Sequence, residues 1–178
     1  TVNDYTYVVN KQKTVAMDSG TTSPAKVEQA VYTVVQGVGN STTSTPYSIT
    51  IDGTTYTYSS ATVDTKTIRD GLKSAVGTPT NITTADIGNS SFSITKSTGT
   101  LSVSASDGFG DQASQVVYDE VQNFSDLPGS APNNMVVEVK GDATSTFDNY
   151  YVKYFSSTGV WEETVAPRIE TPLDEDTI

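Results

Sequence analysis

Tyr47-Ser48-Ile49-Thr50-Ile51-Asp52-Gly53-Thr54-Thr55-Tyr56-Thr57-Tyr58 is the stretch that decides the fold class. Tyr47, Ile49 and Ile51 alternate with Ser48 and Thr50, and the alternation resumes after Asp52-Gly53 with Tyr56 and Tyr58. An Asp-Gly pair between two alternating runs predicts a β-hairpin, because its tight turn needs positive φ at both central residues. Threonine and tyrosine suit a pleated surface that is wet on one side. The chain therefore reads as mainly β.

Downstream, Asp64 or Thr65 can cap a helix whose apolar face is Ile68, Leu72, Ala75 and Val76, closed by Gly77 and Pro79. The spacing predicts one clear short helix near 65–76. Ser91 to Thr95 and Thr100 to Ala105 then form a second hairpin candidate around Lys96 to Gly99, with Phe92 and Ile94 set against Leu101, Val103 and Ala105. Hairpin, helix and hairpin make an α+β unit, so residues 37–105 read as a module inserted into a β-rich body of residues 1–36 and 106–167.

Upstream, Tyr5, Tyr7 and Val9 alternate in a strand over 4–10, followed by a second short strand over Thr14 to Met17. Ser23-Pro24 could start a helix, with Val27, Ala30, Val31 and Val34 at helical spacing. The β-branched and aromatic run Val31 to Val35 favours a strand ending near Gly37 instead. Toward the other end, Met135 to Lys140 and Asn149 to Phe155 alternate, and Ser157-Thr158-Gly159 turns the chain into Val160 to Val165. Residues 168–178 carry Glu170, Asp174, Glu175 and Asp176 against Arg168 and read as an acidic linker. The opening at Thr1 and the close at Ile178 suggest an excised fragment. The expected architecture is antiparallel sheets or a sandwich built from hairpins.

Composition narrows the function. Ser and Thr supply more than a quarter of the chain, while only 17% of residues are charged. The formal net charge is -11, so the surface repels polyanions at long range and does not grip DNA by counterion release. There is no Cys and no His. Thiolate zinc sites, a Cys nucleophile and a Ser-His-Asp triad within this chain are thereby excluded. No run of about 18 apolar residues marks a membrane helix.

Candidate chemistry is sparse. Glu162 and Glu163 are adjacent on a predicted strand and point to opposite faces, so they do not flank a glycosidic bond. Asp119 and Glu120 fail in the same way if strand-borne. Asp107-Gly108-Phe109-Gly110-Asp111 places two carboxylates around a glycine turn that could offer oxygens to Ca2+, but it lacks the further acids of a dedicated loop. A sharp bend is the simpler reading. Tyr56, Tyr58, Tyr150, Tyr151, Tyr154 and Trp161 could make a sugar-stacking strip, although alternating aromatics more often pack as core and cross-strand partners. Phe124-Ser125-Asp126-Leu127-Pro128 reads as architecture, with Ser125 capping a short turn, Leu127 packing inward beside Phe124 and Pro128 ending it. No catalytic residue, metal ligand or cofactor-binding residue is predicted.

The order of these signals carries a resemblance. Gly108-Phe109-Gly110-Asp111-Gln112-Ala113, then Asn123-Phe124-Ser125-Asp126-Leu127-Pro128 with Ala131-Pro132, then Phe147-Asp148-Asn149-Tyr150-Tyr151-Val152-Lys153-Tyr154, then Gly159-Val160-Trp161-Glu162-Glu163-Thr164 resemble, in this order, the tail tubular protein B (nozzle) family of short-tailed podovirus-type bacteriophages. The opening Asp4 to Asn10 and Thr14 to Met17 is similar too, whereas 37–100 matches least. The resemblance implies a strand over Gln115 to Phe124 with one helical turn at Ser125-Asp126-Leu127. It further implies a structural, non-enzymatic piece of the virion, located in the short phage tail. Such proteins form a hexameric nozzle that lines the DNA-ejection channel, beneath an adaptor ring and beside tail fibres, with genomic DNA passing without sequence-specific binding. The fragment alone is expected to be monomeric. The alternative is a carbohydrate-binding or host-surface recognition domain that touches envelope glycan; a glycan hydrolase and an adhesin-like sandwich fit less well.

Overall fold

The computed structural model describes residues 26–38, 44–141 and 148–167. The strands expected over 4–10 and 14–17, the Ser23-Pro24 cap and the acidic linker 168–178 lie outside the described residues. Eleven strands and one α-helix follow in chain order: β1 (Glu28–Val34), β2 (Thr45–Ile51), β3 (Thr54–Ser60), α1 (Thr65–Val76), β4 (Ile82–Ile87), β5 (Ser91–Lys96), β6 (Val103–Asp107), β7 (Ser114–Tyr118), β8 (Glu120–Val121), β9 (Val136–Val139), β10 (Tyr150–Phe155) and β11 (Val160–Thr164). A 3-10 turn spans Phe124–Asp126. Eight strands form one sheet in the order β11-β10-β9-β8-β7-β1-β5-β4, and three form a second in the order β3-β2-β6. All pairings are antiparallel except β8 with β9.

The predicted Asp-Gly hairpin is present. Asp52 and Gly53 take φ of 50° and 81°, and Ile51 faces Thr54 across the turn. Tyr47, Ile49 and Ile51 are buried, while Ser48, Thr50, Thr55 and Thr57 lie on the other face, where Thr50 hydrogen-bonds Thr55 and Ser48 hydrogen-bonds Thr57. With Ser104 and Ser106 opposite Thr50 and Ser48, this outer face is a hydroxyl array.

The α-helix also forms as read. Asp64 accepts from the Thr67 amide at 2.9 Å, and Gly77, at φ 63°, closes the last turn by donating to the Lys73 carbonyl. Ile68, Leu72 and Val76 are buried against both sheets, each worth about 1.5–3 kcal/mol. The fourth buried position is Arg69, not Ala75, which is exposed. Arg69 Nη1 donates to the Gly88 carbonyl at 2.9 Å and its Nη2 pairs with Asp70 at 2.6 Å. A buried guanidinium thus ties the helix to the β4–β5 turn.

The second predicted hairpin is corrected. β5 pairs with β4 through Ile87↔Ser91 and with β1 on its other side, whereas β6 pairs with β2 in the other sheet. Residues 97–102 cross between sheets and bury Leu101. The reason is lateral demand: β2 has an open edge beside β6, and Phe92 and Ile94 belong in the layer between sheets, where they are fully buried. Strand β4, absent from the sequence reading, buries only Ile82 because it is an edge strand. Residues 37–105 consequently supply strands to both sheets.

β1 is central and serves two cores. Ala30, Tyr32 and Val34 face the layer that holds Tyr47, Ile49, Phe92 and α1, while Val31 faces a second cluster with Val117, Met135, Val137, Val139, Val152 and Tyr154. Coverage of both faces explains why Ala30, Val31 and Tyr32 are apolar in succession rather than alternating with polar residues. The strand expected over Gln115 to Phe124 is β7 and β8, kinked at Asp119, whose φ is 58°.

Candidate functional site

The strands end at two poles. At the first lie the C-terminal ends of β1, β3, β4 and β6 and the starts of β2, β5 and β7. Here the Asp107 carboxylate is the hub of the Gly108–Ala113 loop. Its Oδ1 accepts from the amides of Phe109 at 2.8 Å and Asp111 at 3.0 Å, and its Oδ2 accepts from the amides of Ala113 at 2.8 Å and Ser114 at 2.9 Å and from the Ser114 hydroxyl at 3.1 Å. Asp111 answers by accepting from the Asp107 amide at 2.9 Å. Burial pushes the Asp107 carboxyl up, but the amide and hydroxyl donors outweigh it and hold it below the usual carboxylate range. Both oxygens are occupied by donors, so this loop is a latch rather than a calcium loop. Among the described residues no group of three or more acids is arranged around a metal position.

The opposite pole carries four lysine–carboxylate pairs. Lys26 pairs with Asp119 and lies 4.6 Å from the Tyr118 ring centroid. Lys96 pairs with Asp52 at 2.8 Å, joining the two sheets. Lys140 bridges Glu120 at 3.0 Å and Glu138 at 2.9 Å. Glu28 accepts from the Tyr118 hydroxyl at 2.6 Å and the Leu101 amide at 2.9 Å. Burial pushes Glu28 and Glu138 up, and their hydrogen bonds and lysine neighbours bring both below the ordinary value, whereas burial lowers Lys26. Lys26, Glu28, Lys96, Asp119, Glu120 and Glu138 line a cleft of about 790 Å³ whose walls also include Thr98, Thr100, Val136 and Tyr151.

Asp119 and Glu120 are therefore engaged by separate lysines, and Glu162 and Glu163 stand exposed on the edge strand β11.

The six aromatics do not form one strip. Tyr56 and Tyr58 pack against the first core, and Tyr58 lies so close under α1 that a side chain on Gly71 would strike its ring. Tyr154 and Trp161 meet at 5.2 Å in the second cluster, and the Trp161 indole donates to the Pro128 carbonyl at 2.9 Å. Tyr150 packs on that cluster too, which leaves Tyr151 to line the charged cleft. The Phe124–Pro128 segment is architectural, with two changes from the sequence reading. Asp126, not Ser125, ties the turn by accepting from the Asn123 amide at 2.8 Å, and Phe124 is half exposed while Leu127 packs inward. The segment forms one wall of a second cleft, about 530 Å³, opposite Ile87 to Ser91.

A latched glycine loop, a tied turn and an indole hydrogen-bonded to a proline carbonyl are fastenings of this fold. The sequence model of the bacteriophage nozzle proteins matches residues 1–178. The chain belongs to the bacteriophage nozzle protein family. It is also 42% identical over 64 residues to tail tubular protein gp12 of Escherichia phage T7; the match takes in 36% of this chain and 8% of that protein's length. The chain thus spans a small part of the curated relative it matches. Membership in the nozzle family makes it a structural protein of the phage tail, located in the virion. Of the quoted motifs, the described stretches 108–113, 123–128, 149–154 and 159–164 fall on the latch, the tied turn and the β10–β11 pair, while 4–10, 14–17 and Phe147 lie outside the described residues.

Proposed function

We propose that this segment is part of a hexameric nozzle that lines the DNA-ejection channel at the tail tip. The observation that carries the reading is the match to the nozzle family along the whole chain. The surface is compatible with it in a specific way. Among the described residues, the outer face of the three-stranded sheet offers Ser48, Thr50, Thr55, Thr57, Ser104 and Ser106 and no lysine or arginine. DNA sliding past such a wall meets no cation, releases no counterions and is not held. Neighbouring copies of the full-length protein, the adaptor ring and the tail fibres are the partners this reading needs, and it needs no catalysis. Gold-labelled antibody to this segment, combined with copy-number mass spectrometry of purified particles, tests it. Label at the tail tip with a copy number matching one hexamer is expected; label on the fibres, or any other copy number, refutes the nozzle position.

A second reading, recognition of a host-surface glycan, is favoured by the cleft that combines Tyr151 with carboxylates and lysines. Aromatic faces and charged hydrogen-bond groups suit sugars. Saturable binding of host polysaccharide that falls at least tenfold in Tyr151→Ala is its test, and no binding by the unaltered protein removes it.

A further inference from the structure

The described body opens and closes at one place. Its first residue, Lys26, and its last, Pro167, both line the cleft of the charged pole. The strands nearest these two exits agree. β1 starts at Glu28 opposite Lys96, β11 ends at Thr164 opposite Tyr151, and Lys96 and Tyr151 are walls of the same cleft. The sequence runs on beyond both exits, through 1–25 and 168–178, and the phage T7 relative shares only 8% of its length with this chain. A body whose two exits lie side by side is placed as an insertion is, standing on the chain that brings it in and carries it away.

The chemistry of the cleft suits a surface that is covered. Val27 is 47% exposed beside one exit and Val165 74% exposed beside the other. Glu28, Asp119, Glu120 and Glu138 are set against only Lys26 and Lys96 in the lining, so whatever covers it must bring cations or hydrogen-bond donors. A second copy of a chain of net charge -11 brings mainly the wrong sign. A covering chain joined to the body at both exits needs no large contact area. Its effective concentration is on the order of millimolar, so a contact too small to hold separate molecules suffices.

We infer that the charged cleft is the surface by which this body seats on the rest of its own polypeptide. The contact is within one chain, so it does not depend on the ring proposed above. The latched pole, at the other ends of the same strands, then points away from the seat. A seated cleft has no room for a glycan beside Tyr151, so this inference and the glycan reading exclude each other.

The test uses the full-length protein with a benzophenone amino acid at Thr98, which is exposed in the cleft wall and distant in sequence from both exits. On photolysis, a cross-link within one copy to a residue that precedes Asp18 or follows Ile178 is expected. Mixing isotopically light and heavy protein separates it from a link between copies. Cross-links confined to 18–178, to a second copy or to another tail protein, or no cross-link at all, overturn the inference. Thr100, on the same wall, supplies a second position if the Thr98 variant does not fold. The same probe at Thr57, on the hydroxyl face, should not reach those residues, and equal linking from Thr57 overturns the inference as well. Binding of host polysaccharide by the full-length protein that falls at least tenfold in Tyr151→Ala would show an open cleft and would also overturn it.

Discussion

The two poles use the same residue type for different ends. At the latched pole, the Asp107 carboxylate accepts from backbone amides of its own loop; at the charged pole, carboxylates pair with lysines, Asp52 with Lys96 and both Glu120 and Glu138 with Lys140. An amide is fixed by the backbone and cannot be replaced by solvent without opening the loop. A lysine on a partly exposed surface exchanges between protein, water and salt, so such pairs contribute little. Stability should therefore be concentrated at Asp107 and diffuse among Lys26, Lys96 and Lys140.

Removing the hub is the strongest test of that contrast. Asp107→Ala leaves five donors without their acceptor, and hydrogen bonds to charged groups are worth about 1.5–3 kcal/mol each before solvent replaces part of the loss. A loss of about 3 kcal/mol in urea unfolding is expected. A loss below about 1 kcal/mol would mean that water substitutes for the carboxylate and that the loop is not latched. Gly37→Ala comes next. Its φ is ordinary, so the cost is steric: the new methyl must displace the Val63 backbone, at about 2 kcal/mol. If thermal denaturation shows no loss, the segment after β1 and the segment before α1 move independently.

Acid separates the hub from its surroundings. Asp107 is held below its unfolded value, so its contribution is complete above about pH 3.9 and is lost as pH falls through the folded value. Asp107→Asn should be less stable than the natural protein at neutral pH, and the gap should narrow steadily in acid. A gap independent of pH would place the effect in packing rather than in the charge.

The parts of this architecture that were legible in the sequence are those set by local chemistry. Asp52-Gly53 needs positive φ whatever surrounds it, and Asp64, Leu72 and Gly77 define a helix from neighbouring residues alone. Partner choice is not local. Ser91 to Lys96 alternates equally well beside β4, β1 or β6, and only the fit of Phe92 and Ile94 between sheets decides. Ile82 to Ile87 escaped because an edge strand with one buried residue has no apolar period. Arg69 escaped because a charge at a helix core position reads as surface. The Asp107 latch had a signal: an Asp at the head of a Gly-x-Gly turn, followed by small residues, can fold back onto the amides ahead of it. Two carboxylates there suggest metal and self-bonding alike, and donor directions separate the two.

The smallest predicted effect discriminates best between the poles. Lys140→Met removes the shared partner of Glu120 and Glu138 but keeps the aliphatic stem, so the loss is electrostatic. Both lysine and glutamates reach solvent, so the expected cost is the smallest of the set and is present only at low ionic strength. At about 1 M salt the Debye length falls to about 3 Å, and the difference between Lys140→Met and the natural protein should vanish. Asp107→Ala should keep most of its deficit in the same buffer, because amide donors in contact with a carboxylate are not screened by mobile ions. If both deficits disappear in salt, Asp107 acts through the long-range field of an acidic chain and the latch is not a set of hydrogen bonds. If both persist, Lys140 is held as tightly as the backbone, and the charged pole is a second fastening rather than an adjustable one.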